Sequence, residues 1–439
     1  MPPNTKTSTS AATAKTRESS KTSKLIYLDN NGTTKICKPA KDAVVKWLGC
    51  MSNPSSDSKI SINAKAMMEM SKKCIRKHCN AANYSVVYTS GSSESNCLIL
   101  ISCAESYQRI KNTKPHIITS SVEHKSVLEC CNKLVKCGRA DVSFISPMSD
   151  GRISPNLVSK SIKPNTCLIS IMSANNEIGC INQIDIIGNI ANRKNIPFHT
   201  DAVQTFGKYK MNLTRDCIDA VSVSFHKLYG PMGIGMLIIN KQLVTGYDLD
   251  GQIAGSQHGG LRGGTENVPA IAGAYAALKH TFVNRVKKNK RLENMRQSVI
   301  NALCDEYEQL EYESCFKVAS LPEFGFVVIG PTNVQHRVPN TLFVSFVMKN
   351  GKFCNTKLKK ALNMHNIVVS IGSACNTSSA ESSHVMQAIR APSYVKKGVI
   401  RISFGDYNTS VDVKKFCKLL IKSVNTQVPL KIRVPPEKE

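Results

Sequence analysis

The sequence predicts an α/β fold built on a mostly parallel sheet, followed by a smaller α+β domain. Three observations predict it. Short runs rich in Val, Ile and Thr alternate with segments of helical period from about residue 85 to residue 240. Those runs are almost continuously apolar, as in strands covered by helices on both faces. Beyond about residue 285 the regular alternation loosens into mixed strands and helices.

Taken in order, the strands are SVVYTS (85–90), HIITS (116–120), VSFIS (142–146), TCLISIMSA (166–174), IPFHTDA (196–202), DAVSVSF (219–225) and GIGMLIIN (233–240). Each is β-branched and bounded by polar or Gly/Pro residues. Helical period marks a stretch from Glu94 and another over 184–195, and a long helix runs from Val268 into KHTFVNRVKKNKR (279–291). In the second domain, 341–347, 367–372 and 399–405 read as strands, and 354–365, 382–389 and 410–423 as helices. No internal repeat is present. Residues 1–24 hold eleven Ser/Thr, five Lys/Arg and one Glu, a composition that cannot bury surface and reads as a disordered basic tail.

Composition narrows the function. The 439 residues are 41% hydrophobic and 20% charged, which is globular rather than disordered. No apolar stretch approaches the ~18 residues of a spanning helix, so no membrane partner is expected. The seventeen cysteines are an odd number without Cys-x-x-Cys spacing, and no apolar signal segment precedes them. A reducing, cytoplasmic or otherwise intracellular compartment is the expectation, with most thiols acting as small buried hydrophobes. The tail is Ser-rich and acid-poor like an organelle presequence, but it lacks the apolar helical face one needs.

Four segments carry chemistry. Ser224-Phe-His-Lys227-Leu-Tyr-Gly-Pro puts a lysine at the end of a buried strand, where desolvation suits it to Schiff-base formation. His199-Thr-Asp201-Ala-Val-Gln204 puts an acid at another strand end, able to hold the protonated ring nitrogen of pyridoxal phosphate. Thr89-Ser-Gly91-Ser92-Ser93-Glu94 is a strand, a Gly/Ser turn and a helix start, the makings of a phosphate cradle. His124, just past a strand end in Ser120-Ser-Val-Glu-His124, is placed to stack on a flat cofactor.

Together these segments resemble the cysteine desulfurases of the NifS/IscS type, class-V members of the fold-type-I pyridoxal-phosphate enzymes. The resemblance runs over residues 25–424. It includes Tyr27-Leu-Asp-Asn-Asn-Gly-Thr-Thr34, Asn53-Pro-Ser-Ser56, Val122-Glu-His124, Ala174-Asn-Asn-Glu-Ile-Gly179, His226-Lys227, Leu261-Arg-Gly-Gly-Thr265, Gly372-Ser-Ala-Cys375 and Ile400-Arg-Ile-Ser-Phe-Gly405. It implies a large domain (41–285) with a seven-stranded sheet and a small domain (286–439) carrying a catalytic cysteine loop. Residues 25–40 are expected to pack with the small domain.

The resemblance also implies roles. Lys227 would hold the cofactor as a Schiff base, and Asp201 would pair with its ring nitrogen. Gln204 and Asn176 would bond the phenolic oxygen region, while His124 stacks on the ring and moves protons. Ser92, Ser93, Ser224 and His226 would hold the phosphate, with Thr265 reaching it from a second subunit of a homodimer. Arg401 would clamp the carboxylate of L-cysteine, with Asn176 also at the substrate. Cys375, in a run of small residues unlike a core segment, would receive the sulfur as a persulfide and pass it to an acceptor protein, in iron–sulfur cluster assembly or other sulfur trafficking. The α-proton goes to either Lys227 or His124.

Several positions depart from the family. Ser58 and Ser61 stand where His and Gly are usual, Gly259 replaces a basic residue, and Ser382-Ser383 replaces Pro-Ser. No scaffold-docking segment is recognisable in the last 34 residues. The alternatives are a selenocysteine lyase or other class-V enzyme, and a non-catalytic basic protein that binds nucleic acid. Retention of Lys227, Asp201, His124 and Cys375 together argues against the latter. The net charge is +27, of which +13 lies in 279–439, densest on the helical stretches away from the motifs. A solvated surface, an acidic partner or nucleic acid would each account for it.

Overall fold

The computed structural model describes residues 24–316, 321–372 and 383–429. A short strand, Ile26–Tyr27 (β1), opens the described chain. Seven strands then form one sheet: Tyr84–Thr89 (β2), His116–Ser120 (β3), Asp141–Ile145 (β4), Thr166–Ser170 (β5), Phe198–Asp201 (β6), Ala220–Ser224 (β7) and Gly235–Asn240 (β8). Their order is β2-β8-β7-β6-β5-β3-β4, and every pairing is parallel except the two made by β8. β3, β5 and β7 are buried at every residue, which is why their sequences are apolar without alternation. β8 follows β7 through a connection of ten residues, too short for a parallel crossover, and so runs back antiparallel.

The remaining strands are Gln309–Leu310 (β9), Phe324–Val328 (β10), Thr341–Met348 (β11), Ile367–Val368 (β12) and Val399–Ser403 (β13). β13, β11, β10 and β9 form a second sheet in that order, while β12 pairs in parallel with β1. A second core of Leu292, Val299, Phe326, Phe346, Leu358, Phe416 and Leu420 joins this sheet to the helices Arg285–Cys304, Asn355–Met364 and Ser410–Asn425. Ile26 and Leu28 belong to that same core, so the start of the described chain packs there.

Three expectations need correction. The single helix from Val268 to 291 is two helices, Val268–Phe282 and Arg285–Cys304. Val283 is extended and Asn284 left-handed (φ 54°), a conformation Asn tolerates better than other side chains, and together they break the helix. The expected strands 166–174 and 367–372 end early, at Ser170 and Val368: beyond them Ile171 and Ser173 keep single bonds to β6 and Ser370 pairs with Arg401, while Met172 and Ala174 line the site described below. Phe324–Val328, which the sequence reading did not mark, is a buried strand of the second sheet.

Two histidines in the large sheet have both ring nitrogens bonded to hydroxyls: His199 to Ser170 and Ser222, His116 to Thr166 and Ser143. Burial pulls His199 down to about 3, and burial together with Lys163 pulls His116 down to about 4, against 6.5 ordinarily. The unfolded rings take protons that the folded ones refuse. Their contribution to stability is therefore whole above pH 6.5 and drains as pH falls toward 3–4. At pH 4.5 His199 alone should have cost the fold about 3 kcal/mol. Urea midpoints measured from pH 7 to pH 4 should fall, and His199→Gln should fall with a visibly shallower slope.

Candidate active site

Because β2, β3, β5, β6 and β7 point the same way, their carboxyl ends lie along one edge of the sheet. The segments that follow them carry the chemistry, the arrangement expected of open parallel sheets. They enclose a cavity of about 480 Å³, within the range of roughly 300–1,000 Å³ usual for small-molecule sites. Ser92, Ser93, His124, Asn176, Asp201, Gln204, Ser224, His226, Lys227 and Arg401 all line it.

One end is a helix terminus. Gly91 caps the helix Ser92–Lys111 with no side-chain bond to its first-turn N–H groups, which leaves them for an anion. β8 passes so close that a Cβ on Gly235 would stand 2.5 Å from the Gly91 carbonyl carbon. Glu94 does not oppose an anion there, since its carboxylate accepts from the Ser90 N–H (2.7 Å) and pairs with Arg262 (3.1 Å). Burial works against that charge, but Ser90 and Arg262 outweigh it and hold the carboxyl below its usual range. His226 bonds Thr33 through Nδ1 (3.1 Å), and burial with Lys227 holds its ring down at about 4, so it stays neutral at pH 7.

At the other end, Asp201 is 4% exposed. Its oxygens accept from the Val203 N–H (3.0 Å) and from Asn96 Nδ2 (2.8 Å). Lys227 Nζ donates to the carbonyl oxygens of Asn31 (2.5 Å) and Gly32. The chain is tight there: a Cβ on Gly32 would stand 2.6 Å from Asp29 Oδ2 and press on that carboxylate. Arg401, 2% exposed, donates Nη2 to Asp29 (2.7 Å) and Nη1 to the Asn176 carbonyl (3.0 Å).

Two of the three imidazoles lining the cavity, His124 and His384, have tautomers set by their partners. His124 Nδ1 accepts the Ser126 backbone N–H (3.2 Å), and a backbone N–H can only donate. The neutral ring therefore carries its proton on Nε2. Burial pushes its pKa down; Asp201 pulls it up, and Lys227, His384 and Lys125 push it down further. The sequence reading passed over the second ring. His384 lines the same cavity and bonds the Glu123 carbonyl through Nε2 (3.0 Å), an oxygen that can only accept, so its proton is also on Nε2 and its lone pair on Nδ1.

Glu177 was passed over as well, although it stands inside the Ala174–Gly179 motif. It is fully buried, lines the cavity and accepts from Ser383 Oγ at 2.5 Å. His384 carried no sequence signal, being one histidine in a short helical run. Thr265 is exposed and does not line the cavity of its own chain. Cys375 lies outside the described residues, between Gly372 and Ser383. Ser58 and Ser61 are also away from the cavity: Ser58 Oγ accepts the Ser61 N–H and caps the helix Lys59–His78. Gly259 is exposed and left-handed (φ 68°).

Among the described residues, Gln204 Oε1, Glu177 Oε1 and Arg401 Nε are buried polar atoms without a hydrogen-bond partner, and all three belong to residues of this cavity. Such atoms are costly unless something polar meets them. An anion cradle, a buried carboxylate, a lysine and these atoms together fit pyridoxal phosphate with an amino-acid substrate.

Comparison with known proteins agrees. Residues 26–416 match the family model described as Aminotransferase class-V. The chain is 34% identical over 410 residues to a protein named cysteine desulfurase IscS from Dictyoglomus turgidum, covering 92% of this chain and 97% of that one. A solved structure titled NifS-like protein superposes with a TM-score of 0.78 at 29% identity, covering 92% of this chain and all of that one. Another, titled SspA in complex with cysteine, gives 0.72 at 31% identity, with 88% of this chain and all of that one covered.

The electrostatics of the cavity predict a titration. With the cofactor removed, Lys227→Ala takes a cation away from His124, so the His124 pKa should rise. Ring-proton NMR titration of the two apoproteins reads the shift, and an unchanged or lower value would contradict the placement of Lys227 beside that ring.

Proposed function

The chain belongs to the class-V aminotransferase family, among its pyridoxal-phosphate-dependent cysteine desulfurases, and from that premise we propose how its own residues divide the work. The cavity takes L-cysteine, Cys375 receives its sulfur as a persulfide, and alanine leaves. The observation that carries this reading is the convergence of Lys227, Asp201, His124 and Arg401 on one cavity with an anion cradle at its end.

Ser92, Ser93, Ser224 and His226 would hold the phosphate, Lys227 and Asp201 the two ends of the pyridine system, and Gln204 and Asn176 its polar edge. Bound there, pyridoxal phosphate supplies an electron sink for the substrate α-carbon. Arg401 orients the substrate by its carboxylate, and the fork is itself held by Asp29 and the Asn176 carbonyl. The tautomers decide which group takes the α-proton. His124 has its lone pair engaged by the Ser126 N–H and can donate from Nε2, so the base is the Lys227 amine. His124 then acts as a donor within the cavity.

Gly372 and Ser383, which bracket the segment containing Cys375, both lie beside Glu177. That places the two ends of the segment at the rim of the cavity, within reach of a substrate inside it. The exposure of Thr265 supports a homodimer in which it reaches the partner's phosphate site. An acceptor protein with a thiol of its own would then discharge the persulfide, as iron–sulfur cluster assembly requires.

With L-cysteine, the purified holoenzyme should make alanine and carry one extra sulfur on the Cys375 peptide by mass spectrometry. Cys375→Ser should keep the cofactor's visible absorbance and lose turnover, whereas Lys227→Ala should lose borohydride-fixable cofactor. Normal turnover by Cys375→Ser would remove Cys375 from this role. Arg401→Lys should raise KM for cysteine about tenfold or more, since a lysine cannot reproduce the bidentate fork.

A further inference from the structure

A second cavity, of about 770 Å³, lies between the loop that follows β4, the helix Arg285–Cys304, β9 and the loop that follows β10. It shares no lining residue with the substrate cavity. Three arginines line it: Arg152, Arg296 and Arg337.

Two of these charges are unmatched. Arg296 and Arg337 are only 4% and 5% exposed, and the acids that act on them are engaged elsewhere. Asp150 pairs with Arg152 (2.6 Å), and Glu293 with Lys290 (3.5 Å). Arg337 is fixed by Nε and Nη2, which donate to the carbonyls of Pro331 (3.1 and 2.9 Å) and Ile329 (3.0 Å). Its Nη1 is buried and has no hydrogen-bond partner among the described residues. Arg296 donates Nη1 to the Val338 carbonyl (2.9 Å), and no other bond among the described residues occupies its guanidinium. Burial, with repulsion from Arg296 added, presses Arg337 down to about 10 from 12.5 ordinarily. A buried cation without a counter-charge is costly, and two that repel each other are more so.

The other polar groups of the cavity leave room for an anion. Arg152 Nη1 donates to His336 Nδ1. A guanidinium can only donate, so the neutral His336 ring carries its proton on Nε2 and can offer it to a ligand. Glu311 and Glu313 also line the cavity, but both are exposed, and water screens them.

We propose that this cavity binds phosphate, free or at the head of a small molecule, between Arg296 and Arg337. Two unmatched positive charges call for a dianion rather than a carboxylate, and planar guanidinium forks suit phosphate oxygens. The volume is that of a small-molecule site and exceeds what phosphate alone would fill. The proposal stands independently of the reaction assigned above.

The test uses the full-length holoenzyme, so that the cofactor's phosphate fills the cradle at Ser92, in phosphate-free buffer of fixed ionic strength. Calorimetric titration with inorganic phosphate and with glycerol 3-phosphate should each show one saturable site per chain, and potassium chloride should show none. Tighter binding of the ester would mark a ligand larger than phosphate, and equal binding would mark phosphate itself. Arg296→Gln keeps a donor for the Val338 carbonyl and should bind both probes about tenfold or more weakly, while Lys290→Gln should bind them as the parent does. Unchanged visible absorbance and cysteine turnover would show that Arg296→Gln has folded. Should it fail to fold, Arg296→Lys keeps the buried charge and should also weaken binding, because an ammonium cannot reproduce the fork. If neither probe saturated the parent, or if the folded Arg296 variant bound both like the parent, the site would be refuted.

Discussion

Asp29 and Arg401 close the molecule around its cavity. The guanidinium sits in β13 of the second sheet and is almost fully buried, and Asp29 belongs to the segment that leads from β1 toward the first large-domain helices. Breaking such a pair leaves an uncompensated buried charge, at a cost of about 3–5 kcal/mol. The same segment is held at each following residue. Asn30 donates to the Ser403 carbonyl, Asn31 to Thr341 Oγ1, and Thr34 to the His226 carbonyl. The carbonyls of Asn31 and Gly32 accept from Lys227. One strap of six residues, Asp29–Thr34, thus sets the positions of both Lys227 and Arg401 at the cavity.

The large sheet supplies the other half of the geometry. Parallel strands deliver successive loops to one edge, so residues more than a hundred positions apart come within a hydrogen bond of each other, as Asn96 does with Asp201. The helices around that sheet are packing elements, and the loops at its carboxyl edge are free to carry polar groups. Backbone groups then give the side chains their chemical character. A donated N–H from Ser126 leaves the neutral His124 ring with its proton on Nε2, and the accepting carbonyl at Glu123 leaves the neutral His384 ring with its lone pair on Nδ1. Two rings of the same residue type are anchored in one cavity in opposite senses, one accepting and one donating, because the main chain beside each can bond it in only one way.

Much of this was legible from residue types. The strand runs were readable because burial on both faces leaves no alternation, and the lysine, the acid and the Gly/Ser turn were readable because each ends such a run. Boundaries were less so. The strand assignment stops at Ser170, yet Ile171–Ala174 runs on in the same apolar character, with Met172 and Ala174 walling the cavity, and only the packing distinguishes the two. The break at Val283–Asn284 lay inside an uninterrupted helical period. Glu177 and His384 were invisible as site residues, since a carboxylate and an imidazole read one at a time are indistinguishable from surface groups.

By itself, then, the sequence determined the class of the fold and the kinds of group available: a strand-end lysine, a strand-end acid, an anion cradle, an arginine and one cysteine set in small residues. Those follow from local patterns of hydrophobicity and from motifs within about ten positions. Only the tertiary structure decided the strap that ties Lys227 to Arg401 through Asn31 and Asp29, and the tautomer of His384. Each of these depends on which groups far apart in the chain are brought within about 3 Å, the range over which a hydrogen bond acts, and no local pattern encodes that distance.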